Sequence, residues 1–241
     1  MKLFFSFIFT FAVIAKLPAQ IKLTVNDKSI IKDSSGMVYP YAIWSKLMLT
    51  NQYGLKPVNA KDEKTEFIIY QLSEKQLARR DSLKSNMPKP AESRFFRTGD
   101  KIHPFKDKDI EGNKFSIKDL KGKIVVLNFW FVGCPPCKAE IPDLNRIVDK
   151  YKDNTDVVFI AIALDEAYAI NEFLKTTPFK YHIIDNGRYI ANGNYGITSY
   201  PTHVVIDKEG VIRFHTSGLG PGTVTWINKT IESLLKEENK P

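Results

Sequence analysis

Cys134 and Cys137 are the only cysteines in the 241-residue chain, and they stand three positions apart. A disulfide between them would close a very short loop, and the stabilisation from a disulfide grows with loop length. Chemistry therefore explains the pair better than architecture does. We interpret it as a redox-active dithiol, in which Cys134 attacks a substrate disulfide and Cys137 resolves the mixed disulfide.

The position of the pair supports this interpretation. Residues 124–131 form an almost continuous apolar run, which is typical of a strand buried on both faces of a sheet, and residues 134–151 have the pattern of a long helix. Cys134 would then lie at a helix N-terminus, where free N–H groups and the helix dipole favour its thiolate. Pro135 and Pro136 suit a first helical turn. We expect Cys134 to be the more exposed thiol.

A metal site is the first alternative, because half of a zinc site has the same spacing. A structural zinc ion needs two more cysteine or histidine ligands. The chain has no further cysteine, and its four histidines, 103, 182, 203 and 215, show no paired spacing. We expect no metal and no cofactor. The net charge of +8 is spread among acidic residues without a basic stripe, so nucleic acid is not an expected partner.

Strands and helices alternate along the second half of the chain and end in a hairpin and a helix, which predicts an α/β fold with a sheet covered on both faces. Residues 20–95 contain no motif that indicates a function. Their pattern predicts a hairpin near residues 30–39, a helix over 41–49, a strand over 67–72 and a helix over 73–85. We interpret this region as a small α+β extension.

Three stretches together resemble the exported TlpA/ResA-like branch of the thioredoxin superfamily. They are Gly122-Lys123-Ile124-Val125-Val126-Leu127-Asn128-Phe129-Trp130, Cys134-Pro135-Pro136-Cys137-Lys138-Ala139-Glu140-Ile141-Pro142 and Tyr200-Pro201-Thr202. The resemblance runs from about Gly99 to the C-terminus. It implies a thioredoxin-like fold, with a central mixed sheet flanked by helices, over residues 96–241, preceded by the N-terminal extension at 20–95.

The resemblance also implies roles for single residues. Pro201 corresponds to the family's cis-proline, a substrate-binding residue that lies opposite the dithiol and offers its backbone to pair with the substrate, and Tyr200 would help to select substrates. Glu140 corresponds to an acidic residue near the active site that could tune the thiols or carry a proton; the alternative is a solvated helix carboxylate. His203 is of interest because it lies two residues after Pro201.

Gly133 and Trp130 lie close to the dithiol in the sequence and bear on how a substrate would contact it. The family commonly has Trp before the first cysteine, whereas this chain has Gly133, so we expect a more open site. Trp130 is a candidate substrate-binding residue that would partly cover the site, although core packing is the alternative. Asn128 stands where cytoplasmic thioredoxins carry a buried Asp.

The predicted function is an extracytoplasmic thiol–disulfide oxidoreductase that reduces protein disulfides. Its expected partners are disulfide-containing exported proteins and a membrane protein that donates electrons. One alternative is a peroxiredoxin-like peroxidase, although no Thr or Arg flanks Cys134. Another is a copper-delivery module on a thioredoxin scaffold, although such modules resemble a C-x-x-x-C pattern and have a distant His ligand.

Export is predicted from the first 19 residues. Lys2 precedes an apolar run over residues 3–15, which is shorter than the roughly 20 residues of a membrane span. Ala19 is a plausible residue before signal-peptide cleavage. An uncleaved anchor, with membrane association, is the alternative. Either reading places the protein outside the cytoplasm, and we expect it in the periplasm.

Overall fold

The computed structural model describes residues 23–50, 52–62 and 64–237. The predicted signal peptide at 1–19 lies outside these residues. Contacts divide the chain into a smaller unit, up to Met48 together with Tyr53–Gln71, and a larger unit, Leu49–Gln52 together with Leu72 onward. Among the described helices, none is both long and apolar enough to cross a membrane.

The smaller unit is built on a four-stranded sheet in the order β2-β1-β4-β3. Strands β1 and β4 are parallel, and the other neighbours are antiparallel. Ile31, Trp44, Phe67 and Ile69 form its buried core. Its elements are β1 (Ile31–Lys32), β2 (Val38–Tyr39), α1 (Tyr41–Leu49), β3 (Tyr53–Pro57) and β4 (Phe67–Gln71).

The larger unit is built on a five-stranded mixed sheet in the order β11-β10-β7-β8-β9. The three strands β7, β8 and β9 are parallel, whereas β10 is antiparallel to both of its neighbours. Its elements are α2 (Glu74–Ser85), β5 (Lys106–Lys108), β6 (Lys114–Ser116), β7 (Ile124–Trp130), α3 (Pro135–Tyr151), β8 (Val157–Ala163), α4 (Ala167–Leu174), β9 (His182–Ile184), a π-helix (Tyr189–Asn194), β10 (Thr202–Ile206), β11 (Ile212–Ser217) and α5 (Thr223–Glu237).

The strand β7 is buried along its whole length, as its apolar run predicts. Successive side chains of a strand point to opposite faces of the sheet. Ile124, Val126 and Trp130 therefore face one core, which α3, α4 and α5 cover. The intervening side chains face a second core, which the π-helix and the segment around Phe105 cover. The prediction of a central mixed sheet flanked by helices is confirmed.

The segment before the sheet belongs to the larger unit by its contacts. The indole of Trp226 on α5 donates a hydrogen bond to the carbonyl of Met87, at 2.9 Å. The backbone N–H of Ser93 donates to Nδ1 of His215 on β11, at 3.0 Å. The domain boundary at residue 95 stays a prediction, whereas the contact-based division falls before Leu72.

Gly187 lies where the chain passes directly against β8. A Cβ atom there would lie 2.3 Å from Cγ2 of Ile162 and 3.0 Å from the carbonyl oxygen of Ala163. The amide of Gly187 also donates to that carbonyl, at 2.7 Å, which keeps the two backbones close. Gly193, in the π-helix that follows, has no heavy atom within 4 Å of the corresponding position.

We expect Gly187→Ala to lower the free energy of unfolding by about 1–3 kcal/mol, because the added methyl group overpacks a closed core. Gly193→Ala is the matched control and should leave stability unchanged or slightly raised. Chemical denaturation of both variants checks this. Equal stabilities would contradict the close approach of Gly187 to β8.

Candidate functional site

Cys134 and Cys137 lie at the junction between β7 and α3, and they form a disulfide with a Cα–Cα distance of 5.3 Å. Cys134 is the N-cap residue of α3. Its Sγ accepts a hydrogen bond from the backbone N–H of Cys137, at 3.2 Å. The first cysteine thus takes the place of an N-capping side chain, where backbone N–H groups favour a thiolate once the disulfide is reduced.

The local sequence explains why the helix begins there. Pro135 and Pro136 occupy the first two helical positions, where a missing N–H costs no intrahelical hydrogen bond. Ile141, Leu144 and Ile147 follow at helical spacing and are buried against the sheet. Packing of this apolar face therefore fixes the helix, and with it the position of both sulfur atoms.

The cysteines are equally buried in the disulfide, each with 2% of its surface exposed. The prediction that Cys134 is the more exposed thiol is therefore wrong for this form. Gly133 itself is exposed, and the ring of Phe131 lies beside it, with ring carbons 3.6 Å from where a Cβ of Gly133 would be. The more open site that Gly133 predicts stays a prediction.

Tyr200 is the aromatic neighbour of Phe131. Its ring meets that of Phe131 edge to face, with centroids 5.6 Å apart. The Tyr200 hydroxyl donates to the carbonyl of Ile197, at 3.1 Å, and lies 3.3 Å from Oδ1 of Asn192. Burial raises the pKa of Tyr200, so the hydroxyl stays a neutral donor. We call Phe131 and Tyr200 the aromatic cover.

The peptide bond between Tyr200 and Pro201 is cis, as the resemblance implies. Thr202, the next residue, is paired with Phe129 across the antiparallel β10–β7 ladder. This register brings Pro201 level with the end of β7, where the dithiol segment begins. The carbonyl of Pro201 accepts a hydrogen bond from the amide of Gly218, at 2.7 Å.

Trp130 is a core residue, and its prediction as a substrate-binding residue is wrong. Only 1% of its surface is exposed. Its indole packs against Phe173 and Phe179, with ring centroids 5.5 and 5.4 Å away. The reason is its place on β7, where alternation directs it towards the helix-covered core and away from solvent.

Glu140 is buried on α3, so a solvated carboxylate at this position is excluded. Its side chain has 1% of its surface exposed, and Oε1 lies 2.7 Å from Nε2 of His203, whose side chain is fully buried. Asn128 on β7 places Nδ2 at 3.2 Å from Nδ1 of His203 and 3.5 Å from Oε1 of Glu140. These three side chains form a buried polar cluster beneath the N-terminal half of α3.

Two members of this arrangement are not identified by sequence reasoning. Phe131 was not a candidate, although an aromatic residue two positions before Gly133 could have indicated a replacement for the missing indole. His203 was noted only for its distance along the chain from Pro201. No group of three or more His, Cys, Asp or Glu side chains within the described part of the chain is arranged to hold a metal ion.

Comparison with known proteins covers the second half of the chain. A family model described as the AhpC/TSA family matches residues 98–215. The thiol-disulfide oxidoreductase ResA of Bacillus anthracis is 42% identical over 106 residues, which are 43% of this chain and 60% of that protein. The chain thus spans less than two thirds of the length of this relative.

A second ResA, from Halalkalibacterium halodurans, is 30% identical over 125 residues, which are 51% of this chain and 70% of the relative. Among solved structures, a protein assigned as the thiol:disulfide interchange protein DsbE of Chlorobium tepidum has a TM-score of 0.53 and 26% identity, covering 58% of this chain and 99% of the other.

The residues that the family model matches hold the disulfide, the cis-proline and most of the five-stranded sheet. The chain belongs to the ResA-like thiol–disulfide oxidoreductases, within the thioredoxin-like proteins.

Proposed function

We propose that this protein is an extracytoplasmic thiol–disulfide oxidoreductase that reduces disulfides in exported proteins. The observation that carries the proposal is the Cys134–Cys137 disulfide at the N-terminus of α3, beside a cis-proline. Membership of the ResA-like family supports the same chemistry. A periplasmic location is part of the proposal and depends on the predicted export signal.

The reaction transfers two electrons from the dithiol to the substrate. The Cys134 thiolate attacks a substrate disulfide, forms a mixed disulfide and releases one substrate thiolate. Cys137 loses its proton and attacks Sγ of Cys134, which forms the intramolecular disulfide and releases the second substrate thiolate. Both substrate thiolates take up protons. A membrane protein that donates two electrons and two protons must then restore the dithiol.

Glu140 is the group that we propose to accept the proton of Cys137. It lies three residues after Cys137 on α3, and residues at this spacing share a helix face. Both side chains are buried, so bulk water has little access to the thiol. A carboxylate nearby can then take the proton that the resolving step releases.

The aromatic cover is the part of the site that we propose to meet the substrate. Phe131 and Tyr200 are half-buried, whereas both cysteines are buried, so these rings offer a substrate more accessible surface than the sulfur atoms do. Because the carbonyl of Pro201 already accepts a hydrogen bond from Gly218, we assign backbone pairing with the substrate to Tyr200.

Because the two cysteines have different proposed roles, their serine variants should behave differently. With a disulfide-containing protein such as insulin, Cys137→Ser should accumulate a mixed disulfide, because the resolving thiol is missing. Cys134→Ser should form none, because the attacking thiol is missing. Non-reducing electrophoresis after alkylation checks both, with the wild-type protein as the control for turnover. Trapping by Cys134→Ser alone would reverse the assigned roles.

The direction of electron flow predicts the reduction potential of the couple. A reductase should have a value near that of thioredoxin, about −270 mV, rather than near the strong oxidant DsbA, about −120 mV. Equilibrium titration with glutathione, followed by thiol trapping, measures it. A value near the oxidising end would make the protein a disulfide-forming enzyme, and the absence of a reversible couple would contradict the proposal altogether.

The aromatic cover predicts how fast small reductants reach the disulfide. Phe131→Ala should be reduced by dithiothreitol severalfold faster than the wild-type protein, because exchange depends on access to sulfur. Phe115→Ala is the matched control: Phe115 is also half-buried, but its ring packs on His182, with centroids 4.7 Å apart. Equal rates for both variants would show that Phe131 does not restrict access.

A further inference from the structure

The arrangement of hydrogen bonds around His203 defines which ring nitrogen carries its proton. Nε2 of His203 lies 2.7 Å from Oε1 of Glu140. A carboxylate oxygen accepts hydrogen bonds, so the tautomer with its proton on Nε2 is the one that fits this contact. The amide nitrogen of Asn128 lies 3.2 Å from Nδ1 and 3.5 Å from Nε2, so its position does not distinguish the two ring nitrogens.

The register of the sheet explains why these groups meet. Asn128 on β7 and His203 on β10 are directly paired across the antiparallel ladder. Asn128 shares its side of the sheet with Val126 and Trp130, which is the side that α3 covers. The first turns of α3 carry both Cys137 and Glu140. The paired strands therefore place the side chain of His203 next to the Glu140 carboxylate.

The other oxygen of Glu140 has a different environment. Oε2 is buried and has no hydrogen-bond partner among the described residues. A buried acceptor without a partner is costly, and such atoms in native structures call for an explanation. A carboxylate that must receive a proton needs one oxygen held in place and the other available.

We propose that His203 is a positioning residue: its Nε2–H holds Oε1 of Glu140 and leaves Oε2 to receive the proton of Cys137. The inference rests on the proposed oxidoreductase function and deepens it. In the resolving step the S–H bond of Cys137 breaks, its proton passes to Glu140, and the new thiolate attacks Cys134. No oxidant beyond the substrate disulfide is required.

Three side chains from other parts of the chain surround this carboxylate, and Cys137 lies one turn before it on α3. His203 comes from β10 and Asn128 from β7. Tyr181, just before β9, is buried and interacts with the charge of Glu140. Burial, and to a smaller extent that charge, raise the pKa of Tyr181 well above 10, so it stays a neutral phenol. Among these groups, His203 is the nearest hydrogen-bond donor to the Glu140 carboxylate, with Nε2 at 2.7 Å from Oε1.

The test separates the two exchange steps with Ellman's reagent. Reduced protein releases one nitrothiobenzoate when Cys134 forms the mixed disulfide, and a second when Cys137 resolves it. The pH dependence of the second release is the readout. Without the His203 donor, a buried carboxylate favours its neutral form, which cannot accept a proton. The second step should then require a higher pH.

We expect His203→Leu to move the midpoint of the second step upward by roughly 1–2 pH units, which slows it about tenfold or more below the midpoint. His203→Gln, which retains an N–H donor, should recover part of the shift. In a Glu140→Gln background, His203→Leu should cause no further shift. His215→Leu is the matched control, since it removes another buried histidine and should leave the profile unchanged.

The outcomes separate the two proposals. If the first release is absent in the wild-type protein, the oxidoreductase function is wrong. If the first release is normal and His203→Leu keeps the wild-type pH profile, or shifts it equally with and without Glu140, only the role of His203 is overturned. Should His203→Leu fail to fold, nitrogen-15 NMR of the wild-type protein decides: the Nε2–H tautomer supports the proposal, and the Nδ1–H tautomer overturns it.

Discussion

The pairing of β7 with both of its neighbours is the constraint on which the site depends. The strand is buried along its whole length, so its side chains must alternate between two apolar cores. Its end then determines where α3 begins, and its ladder with β10 determines where the cis-proline lies. A slip of one residue would exchange the two faces of β7. Asn128 would then leave Glu140, and the dithiol would move relative to Pro201.

The polar cluster beneath α3 is a costly feature in such a core. Transferring a carboxylate from water to the protein interior is unfavourable unless hydrogen bonds compensate for the lost hydration. Glu140 has one such bond, from His203, and a longer contact with Asn128. Replacing the cluster by apolar side chains of similar volume would often be neutral or stabilising. Its presence next to the dithiol is therefore better explained by proton transfer than by stability.

The burial of the disulfide has a chemical consequence as well. With 2% of the surface of each cysteine exposed, a reaction partner reaches sulfur only where the neighbouring side chains admit it. Access is one of the quantities that set the rate of thiol–disulfide exchange. If the aromatic cover meets the substrate as proposed, it gives the protein a means to favour some substrates over others.

The local sequence pattern predicts most helices and strands correctly, and it fails where tertiary contacts determine the backbone conformation. The strands β7 and β8 and the helices α3 and α5 follow from apolar runs, spacing and prolines close to where they were predicted. The strand β3 was missed, because Gly54 and Pro57 belong to residue types that are depleted in strands. Pairing with β4 imposes the extended conformation there, and Gly54 admits the ring of Tyr70, with its nearest carbon 2.7 Å from a hypothetical Cβ.

The sequence by itself determined the fold class, the dithiol and its helix terminus, since each depends on short-range spacing and on residue type. Only the tertiary structure decided which side chains meet. Glu140 and His203 are 63 residues apart in the chain and 2.7 Å apart in space. The burial of Trp130 and the contact between Phe131 and Tyr200 are likewise products of packing. Contacts of this kind depend on how strands align and which faces are covered, and a local pattern does not encode either.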